Sequence, residues 1–291
     1  VEQLLALIAL ALAILLPVLY DGVERKTKAI LQSRVGPPLH QSLLDLGKLL
    51  SKEPVEFPSY PLVFYTTVLS IILELAVILV LNIVVLGINT ALLMPVAIAL
   101  VTVAQTVNIS MPLLISNPYS QIGGMREVML ALVNEFSLVA GLALFYYYTV
   151  SLHPSGIMSW VIAIPLIILV ITATYVLSGR VPFDIAEAEV ELASGILVEL
   201  SGRALALYLY SIYLKRYISS MLTAVVVFTL MPLNPLVRFI LVNASIPFIW
   251  ILYSITSVML GRSRIDLAPG TLFKVYIVLL TISITGLLVI K

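Results

Sequence analysis

The residues that could do chemistry in this chain are carboxylates set among apolar side chains. In Arg180–Gly202 (RVPFDIAEAEVELASGILVELSG), Pro182 suits a helix start, because its missing N–H is not needed there. On a helix running onward from it, Asp184, Glu187, Glu191 and Glu199 fall within an arc of about 120° at 100° per residue, while Glu189 faces away. Four carboxylates on one stripe entering an apolar setting cannot all stay ionised, since desolvation and like-charge repulsion both oppose it. Protons would be shared among them, and a row of this kind conducts protons if water connects its members. A solvated acidic face is the alternative, but Leu192, Ile196, Leu197, Val198 and Leu200 argue against full hydration. Glu135, with Asn134 beside it, and Glu74 stand inside other apolar runs. A lone charge at a bilayer centre costs about 2.5–3.5 kcal/mol even on a lenient scale. Glu74, Glu135 and Glu199 therefore either lock helices together through partners such as Arg126, Arg203 or a tyrosine hydroxyl, or join Asp184, Glu187 and Glu191 in a proton or cation relay.

The elements that must position them are membrane-spanning. Of 291 residues, 61% are hydrophobic and 11% charged, against about 45–50% and 25% in soluble domains. Runs of about 20 apolar residues suffice to span a bilayer, and they recur at 1–20, 61–86, 91–115, 127–150, 157–178, 239–260 and 272–290. The stretch 190–231 crosses once, or twice with Lys215 and Arg216 between the spans. The connection 21–60 holds Arg25, Lys26, Lys28, Arg34, Lys48 and Lys52, whereas 87–90 and 151–156 hold no Lys or Arg. Basic residues mark the cytoplasmic side. A single crossing of 190–231 puts Arg262 and Arg264 on that side too, and so is preferred. The expected fold is all-α: about eight transmembrane helices in a single polytopic membrane domain over 1–291, with cytoplasmic segments 21–60, 179–195 and 261–270. Within the first of these, Gln41–Lys52 is too short and charged to span. Leu43, Leu46, Leu49 and Leu50 share one broad face of it, and Asp45, Lys48 and Lys52 another, as in an interfacial amphipathic helix on which a peripheral subunit could dock. The first run opens Val1-Glu2 without a basic leader, and no small-residue cleavage pattern follows Tyr20, so no cleaved signal peptide is expected.

Composition narrows function further. Sixteen Lys and Arg against fifteen Asp and Glu leave a net charge of +1, so nucleic acid is not an expected partner. Zero cysteines remove disulfides and thiolate-held metals or clusters from this chain. His40 and His153 lie outside the apolar runs, where axial haem ligands would be needed, and no phosphate-binding loop appears.

Several motifs together carry a resemblance. Glu24-Arg25-Lys26, Gln32, Arg34, Gly36-Pro37, Asp45, Lys48 and Lys52-Glu53 resemble the first cytoplasmic loop of the NuoH-like membrane subunit of respiratory complex I, the heel that joins its membrane arm to its peripheral arm. Gly124, Arg126 and Glu135 are similar to that family's next signature. Pro182-Phe183-Asp184, Glu187, Glu189, Glu191-Leu192, Gly195, Glu199, Ser201 and Gly202 resemble its acidic segment, and Arg262, Arg264 and Asp266 the element before its last span. The short GPPLHQSLLD connection is more similar to the corresponding membrane anchor of membrane-bound NiFe hydrogenases and formate hydrogenlyases. The mixture is most like the equivalent anchor of archaeal membrane-bound hydrogenase or sulfane reductase. Leu200 stands where complex I carries a tyrosine.

The resemblance implies a plasma-membrane anchor and coupling subunit of an ion-translocating oxidoreductase, not catalytic by itself. No cofactor is implied in this chain; a NiFe centre and iron–sulfur clusters belong to partner subunits. Those partners are hydrogenase-like large and small subunits on the cytoplasmic side and antiporter-like subunits in the bilayer. The interface implied with the former comprises Glu24, Arg25, Lys26, Gln32, Arg34, Asp45, Lys48, Arg180, Arg262, Arg264 and Asp266. Rival readings are a subunit lining a quinone site, which Leu200 and the short loop disfavour, and an independent secondary transporter, which does not need a basic amphipathic platform.

Overall fold

The computed structural model describes residues 2–55, 58–151, 157–184, 195–264 and 266–290. Among these residues there is no strand, and ten helices occur: α1 Glu2–Leu31, α2 Gln41–Ser51, α3 Tyr60–Val85, α4 Thr90–Leu113, α5 Pro118–Ser151, α6 Ile157–Leu177, α7 Ile196–Glu199, α8 Gly202–Thr229, α9 Pro235–Met259 and α10 Ala268–Ile290. Seven of them are long and apolar enough to cross a membrane, and α6 adds a 21-residue apolar helix. In a bilayer the backbone must satisfy its own hydrogen bonds, which a helix does within one segment. Pro17, Pro95, Pro112, Pro165 and Pro247 are tolerated inside these helices.

The ambiguous 190–231 stretch resolves into one long helix, α8, with Lys215 and Arg216 in its middle. This is the least hydrophobic of the spanning helices and the most enclosed: 67% of its span is buried, against 22–39% for the others. It packs against α1, α2, α3, α6 and α9, while α4, α5 and α10 close the bundle around α3 and α6. The order follows from solvation. A helix carrying Lys, Arg and several tyrosines is costly against lipid, so it takes the centre and the more apolar helices shield it. One crossing by α8 leaves the C-terminal ends of α1, α4, α6 and α9 on one side of the bundle, and those of α3, α5, α8 and α10 on the other.

α1 does not stop with its apolar run at Tyr20. Asp21, Glu24, Arg25 and Lys28 extend it as one charged face, helped by the i,i+4 pairs Arg25–Asp21 (2.8 Å) and Lys28–Glu24 (2.7 Å). The short helix α2 lies against this extension and α8, with Leu46 buried among Val18, Ala206 and Tyr213 and flanked by Leu43 and Leu49. Leu50 departs from the expected face: it is 48% exposed, and its carbonyl accepts a bond from Arg203 Nε.

The continuous acidic helix expected from Pro182 to Gly202 is not formed. Val181–Pro182 is a turn, Phe183 a bend, and Asp184 non-helical; α7 is only four residues long, and Leu200 and Ser201 are extended. Gly195 (φ +52°) and Gly202 (φ +53°) break the helical path, because each takes a left-handed backbone that L side chains disfavour. At Gly202 space matters as well: a Cβ there would lie 2.8 Å from the Glu53 carbonyl oxygen. The adjoining contact is a bond from the Val55 N–H to Ser201 Oγ, 2.8 Å. Gly202→Ala is expected to cost about 1–2 kcal/mol from the positive φ alone, and more from the contact with Glu53. A lowered unfolding temperature in detergent checks this; an unchanged one contradicts it.

Candidate functional site

Two polar cavities meet on α8. The first, about 70 Å³, is lined by one face of α5 (Glu127, Leu130, Ala131, Asn134, Glu135), by Tyr208, Ile212, Lys215 and Arg216 of α8, by Gln105 and Ile109 of α4, and by 176–179, Phe183 and Asp184 at and after the end of α6. Spacings of three, four, seven and eight residues on α5 and α8 put those side chains on facing helical stripes. The second, about 250 Å³, is lined by Asp21, Glu24, Arg25 and Lys28 of α1 with Leu197, Leu209, Ile212, Tyr213 and Arg216. Ile212 and Arg216 belong to both, so Arg216 stands in the wall between them.

Charges run through both cavities in alternating sign. Arg25 bonds Asp21 (2.8 Å), Asp45 (2.9 Å) and the Tyr213 hydroxyl (3.1 Å). Asp21 also accepts from Ser42 Oγ (2.8 Å) and faces Arg216 Nη1 at 3.6 Å. In the first cavity Lys215 Nζ lies 3.4 Å from Glu127 Oε1, and Asp184 is 3.3 Å from Arg262 Nη2. Glu135 differs: its Oε1 is buried and has no hydrogen-bond partner. The same residue lines a largely apolar groove between α4 and α5, with Thr106, Ser110 and Leu132. Glu135 thus separates the charged interior from the outer surface of the bundle.

Beside the cavities, Arg180 Nη2 and Nε reach both oxygens of Glu24 at 2.7 and 3.3 Å, and both side chains are almost wholly buried. The guanidinium carbon also sits 5.0 Å from the centroid of the Trp250 ring, close enough for a cation–π contact. This pair ties the segment after α6 to α1 and α9. Nearby, Ser263 Oγ and N–H both donate to the Pro182 carbonyl, at 2.6 and 3.1 Å, so the α9–α10 connection is fastened to the segment that carries Asp184.

Of the relay residues expected from the sequence, the structure brings Asp184 and Glu135 to one cavity. Glu74 is fully buried behind α4, where Asn108 Nδ2 donates to its Oε1 at 2.7 Å and its Oε2 has no partner. Glu199 is elsewhere, accepting from Asn117 Nδ2 at the α4–α5 connection, because the helix that would have aligned it with Asp184 is broken. Glu187 and Glu191 lie outside the described residues. Among the residues expected to face partners, Lys26, Gln32, Arg34, Lys48, Arg262, Arg264 and Asp266 are exposed on one end of the bundle, with Asp45 and Arg25 half-buried. Glu24 and Arg180 are a correction: at 1% and 2% exposure they bind each other inside this chain and offer no side chain to a docked surface.

Sequence reasoning passed over Asp21, Glu127, Lys215 and Arg216. The signal was there, since a basic pair inside an apolar stretch is as costly as a carboxylate, but the pair also fitted a loop between two short spans. Among the described residues no group of three His, Asp or Glu side chains is placed to hold a metal ion.

A family model described as NADH dehydrogenase matches residues 3–289. The chain belongs to the NADH dehydrogenase family. Within it, the chain is 29% identical to hydrogenase-4 component C of Escherichia coli over 232 residues, covering 75% of this chain and 74% of that protein. It is 32% identical to formate hydrogenlyase subunit 4 of the same organism over 227 residues, covering 72% of each. A chain in the structure of the membrane-bound sulfane sulfur reductase, an archaeal respiratory membrane complex, shares the fold of this family member, with a TM-score of 0.78, 17% identity, and 98% and 99% of the two chains covered.

Removing one partner of a buried ion pair strands the other charge, at a cost of about 3–5 kcal/mol. Glu24→Ala, which strands the buried Arg180, is expected to lower stability in detergent by that amount, and Arg180→Ala by less, because Lys28 still pairs with Glu24 at 2.7 Å. Together they should cost markedly less than their sum; strict additivity would contradict the pairing.

Proposed function

We propose that this chain is the membrane anchor and coupling subunit of a multi-subunit, ion-translocating oxidoreductase. Its relatives' names support the setting: components of hydrogenase-4, of formate hydrogenlyase and of NADH–quinone oxidoreductase. The observation that carries the coupling role is the charged first cavity, in which Glu135 keeps an unpartnered buried oxygen while Glu127, Lys215 and Asp184 surround the same space.

In this reading the exposed charges of the α1–α3 and α9–α10 connections seat hydrogenase-like large and small subunits on the cytoplasmic side of the plasma membrane. Those partners hold the NiFe centre and iron–sulfur clusters, and this chain contributes no redox group. Electron transfer in the docked subunits alters the charge felt by Asp184 and Arg262. Lys215, 3.4 Å from Glu127, responds because it lines the same cavity as Asp184, where charges are weakly screened. When Lys215 leans toward the cavity it stabilises an ionised Glu135; when it returns to Glu127, Glu135 takes up a proton. Glu135 then passes the change to the α4–α5 groove, where antiporter-like membrane subunits would lie. Glu74, behind Asn108, holds the α3–α4 contact in this scheme, and Glu199 anchors the α4–α5 connection.

Glu135→Gln is expected to leave assembly and electron transfer intact while reducing ion uptake into inverted vesicles by about ten-fold or more, toward the range for losing a proton-transferring group. Lys215→Met should act in the same direction, and Glu199→Gln should have the smaller effect. Wild-type ion uptake in Glu135→Gln would rule the relay out.

A further inference from the structure

At the membrane face opposite the charged cavities, the ends of α3, α5 and α8 and the starts of α4 and α9 enclose a separate cavity of about 220 Å³. Its lining is divided. Thr90, Tyr146, Thr149 and Thr229 bring hydroxyl groups, Met94 and Phe145 bring apolar surface, and Arg238 is the one charged side chain among its lining residues. Arg238 Nε is buried and makes no hydrogen bond, and Nη2 reaches the Leu233 carbonyl only at 3.4 Å.

The stretches that line the cavity supply this arginine with no counter-ion. No Asp or Glu occurs at positions 75–126, 136–183 or 200–265, the three stretches that supply every lining residue. The position adds to the imbalance. Arg238 lies in the first turn of α9, whose acidic complement is nil, and a cation there meets the positive end of the helix dipole. The two charged cavities on α8 are different, because the Lys and Arg side chains in their walls share the space with carboxylates. Here a lone guanidinium shares the wall of the space with hydroxyl-bearing side chains and no carboxylate.

We infer that this cavity binds a phosphate group, and that a phospholipid of the adjacent leaflet supplies it. The guanidinium fork matches phosphate oxygens with paired N–H donors. The Thr90 hydroxyl lies on the cavity wall to complete the polar contact, and the apolar surface of Met94 and Phe145 accepts the start of an acyl chain. A free phosphate ion would use only the polar half. The site is remote from Glu135 and stands independently of the coupling role.

The test uses the full chain in its membrane complex, purified in mild detergent. Native mass spectrometry should find a retained phospholipid on wild type after delipidation that removes bulk lipid. Delipidated complex is then titrated with short-chain phosphatidylglycerol, with inorganic phosphate, and with a glycoside detergent of the same tail length, following thermal stability. Saturable stabilisation by the phospholipid alone is expected. Arg238→Gln should weaken it by about ten- to hundred-fold, the loss of one charge-assisted contact, and Arg238→Lys should weaken it less. Equal stabilisation by inorganic phosphate overturns the lipid assignment, and equal stabilisation by the glycoside overturns the phosphate. Absence of saturable binding to wild type overturns the site whether or not Arg238→Gln assembles, and so does binding that Arg238→Gln leaves unchanged.

Discussion

Ionic groups removed from water must find opposite charge or lose their own, and the arrangement of this protein follows from that constraint. The interior of the bundle offers little dielectric screening, so an isolated charge costs several kcal/mol while a paired one is tolerated. α8 brings Lys215 and Arg216 into the middle of the bundle. Around them gather Glu127 from α5 and Asp21 from α1, with Glu135 facing the same space. The same requirement fixes Glu24 and Arg180 to each other and extends α1 as a charged helix beyond its apolar run.

Pairing of this kind holds the bundle together. The Glu24–Arg180 pair, with both carboxylate oxygens engaged, acts as a rivet. The Lys215–Glu127 contact is longer and opens on a cavity in which Glu135 has an oxygen to spare. In the coupling role proposed above, this cation would move between two arrangements of charge. The difference between rivet and proposed switch lies in the carboxylate oxygens, both engaged in Glu24 and one left unpartnered in Glu135.

Much of this was legible in the residues. Apolar run lengths located most of the spanning helices to within a few positions, and the bias of Lys and Arg chose one crossing for 190–231, as α8 has it. The carboxylates inside apolar runs pointed to Glu135, and the motifs pointed to the family. What the sequence hid was local. A helical projection placed Asp184 and Glu199 on one stripe, but it could not register that Gly195 and Gly202 take left-handed backbones and interrupt the helix. The charged residues of the first loop read as a surface, whereas Glu24 is enclosed by Arg180, 156 residues away in sequence. Such a long-range partner leaves no periodic trace. Lys215 and Arg216 were ambiguous for the opposite reason: without the packing of the neighbouring helices, a basic pair in an apolar stretch fits a loop as well as a buried centre.

The claim on which the rest depends is that Glu135 changes its protonation as the assembled complex turns over. Infrared difference spectroscopy during turnover observes carboxylic acid C=O stretches directly. A band that appears and disappears with turnover, shifts in heavy water and is missing from the Glu135→Gln complex is the expected result. An unchanged carboxyl region in the wild type, or the same band surviving the substitution, would contradict the account.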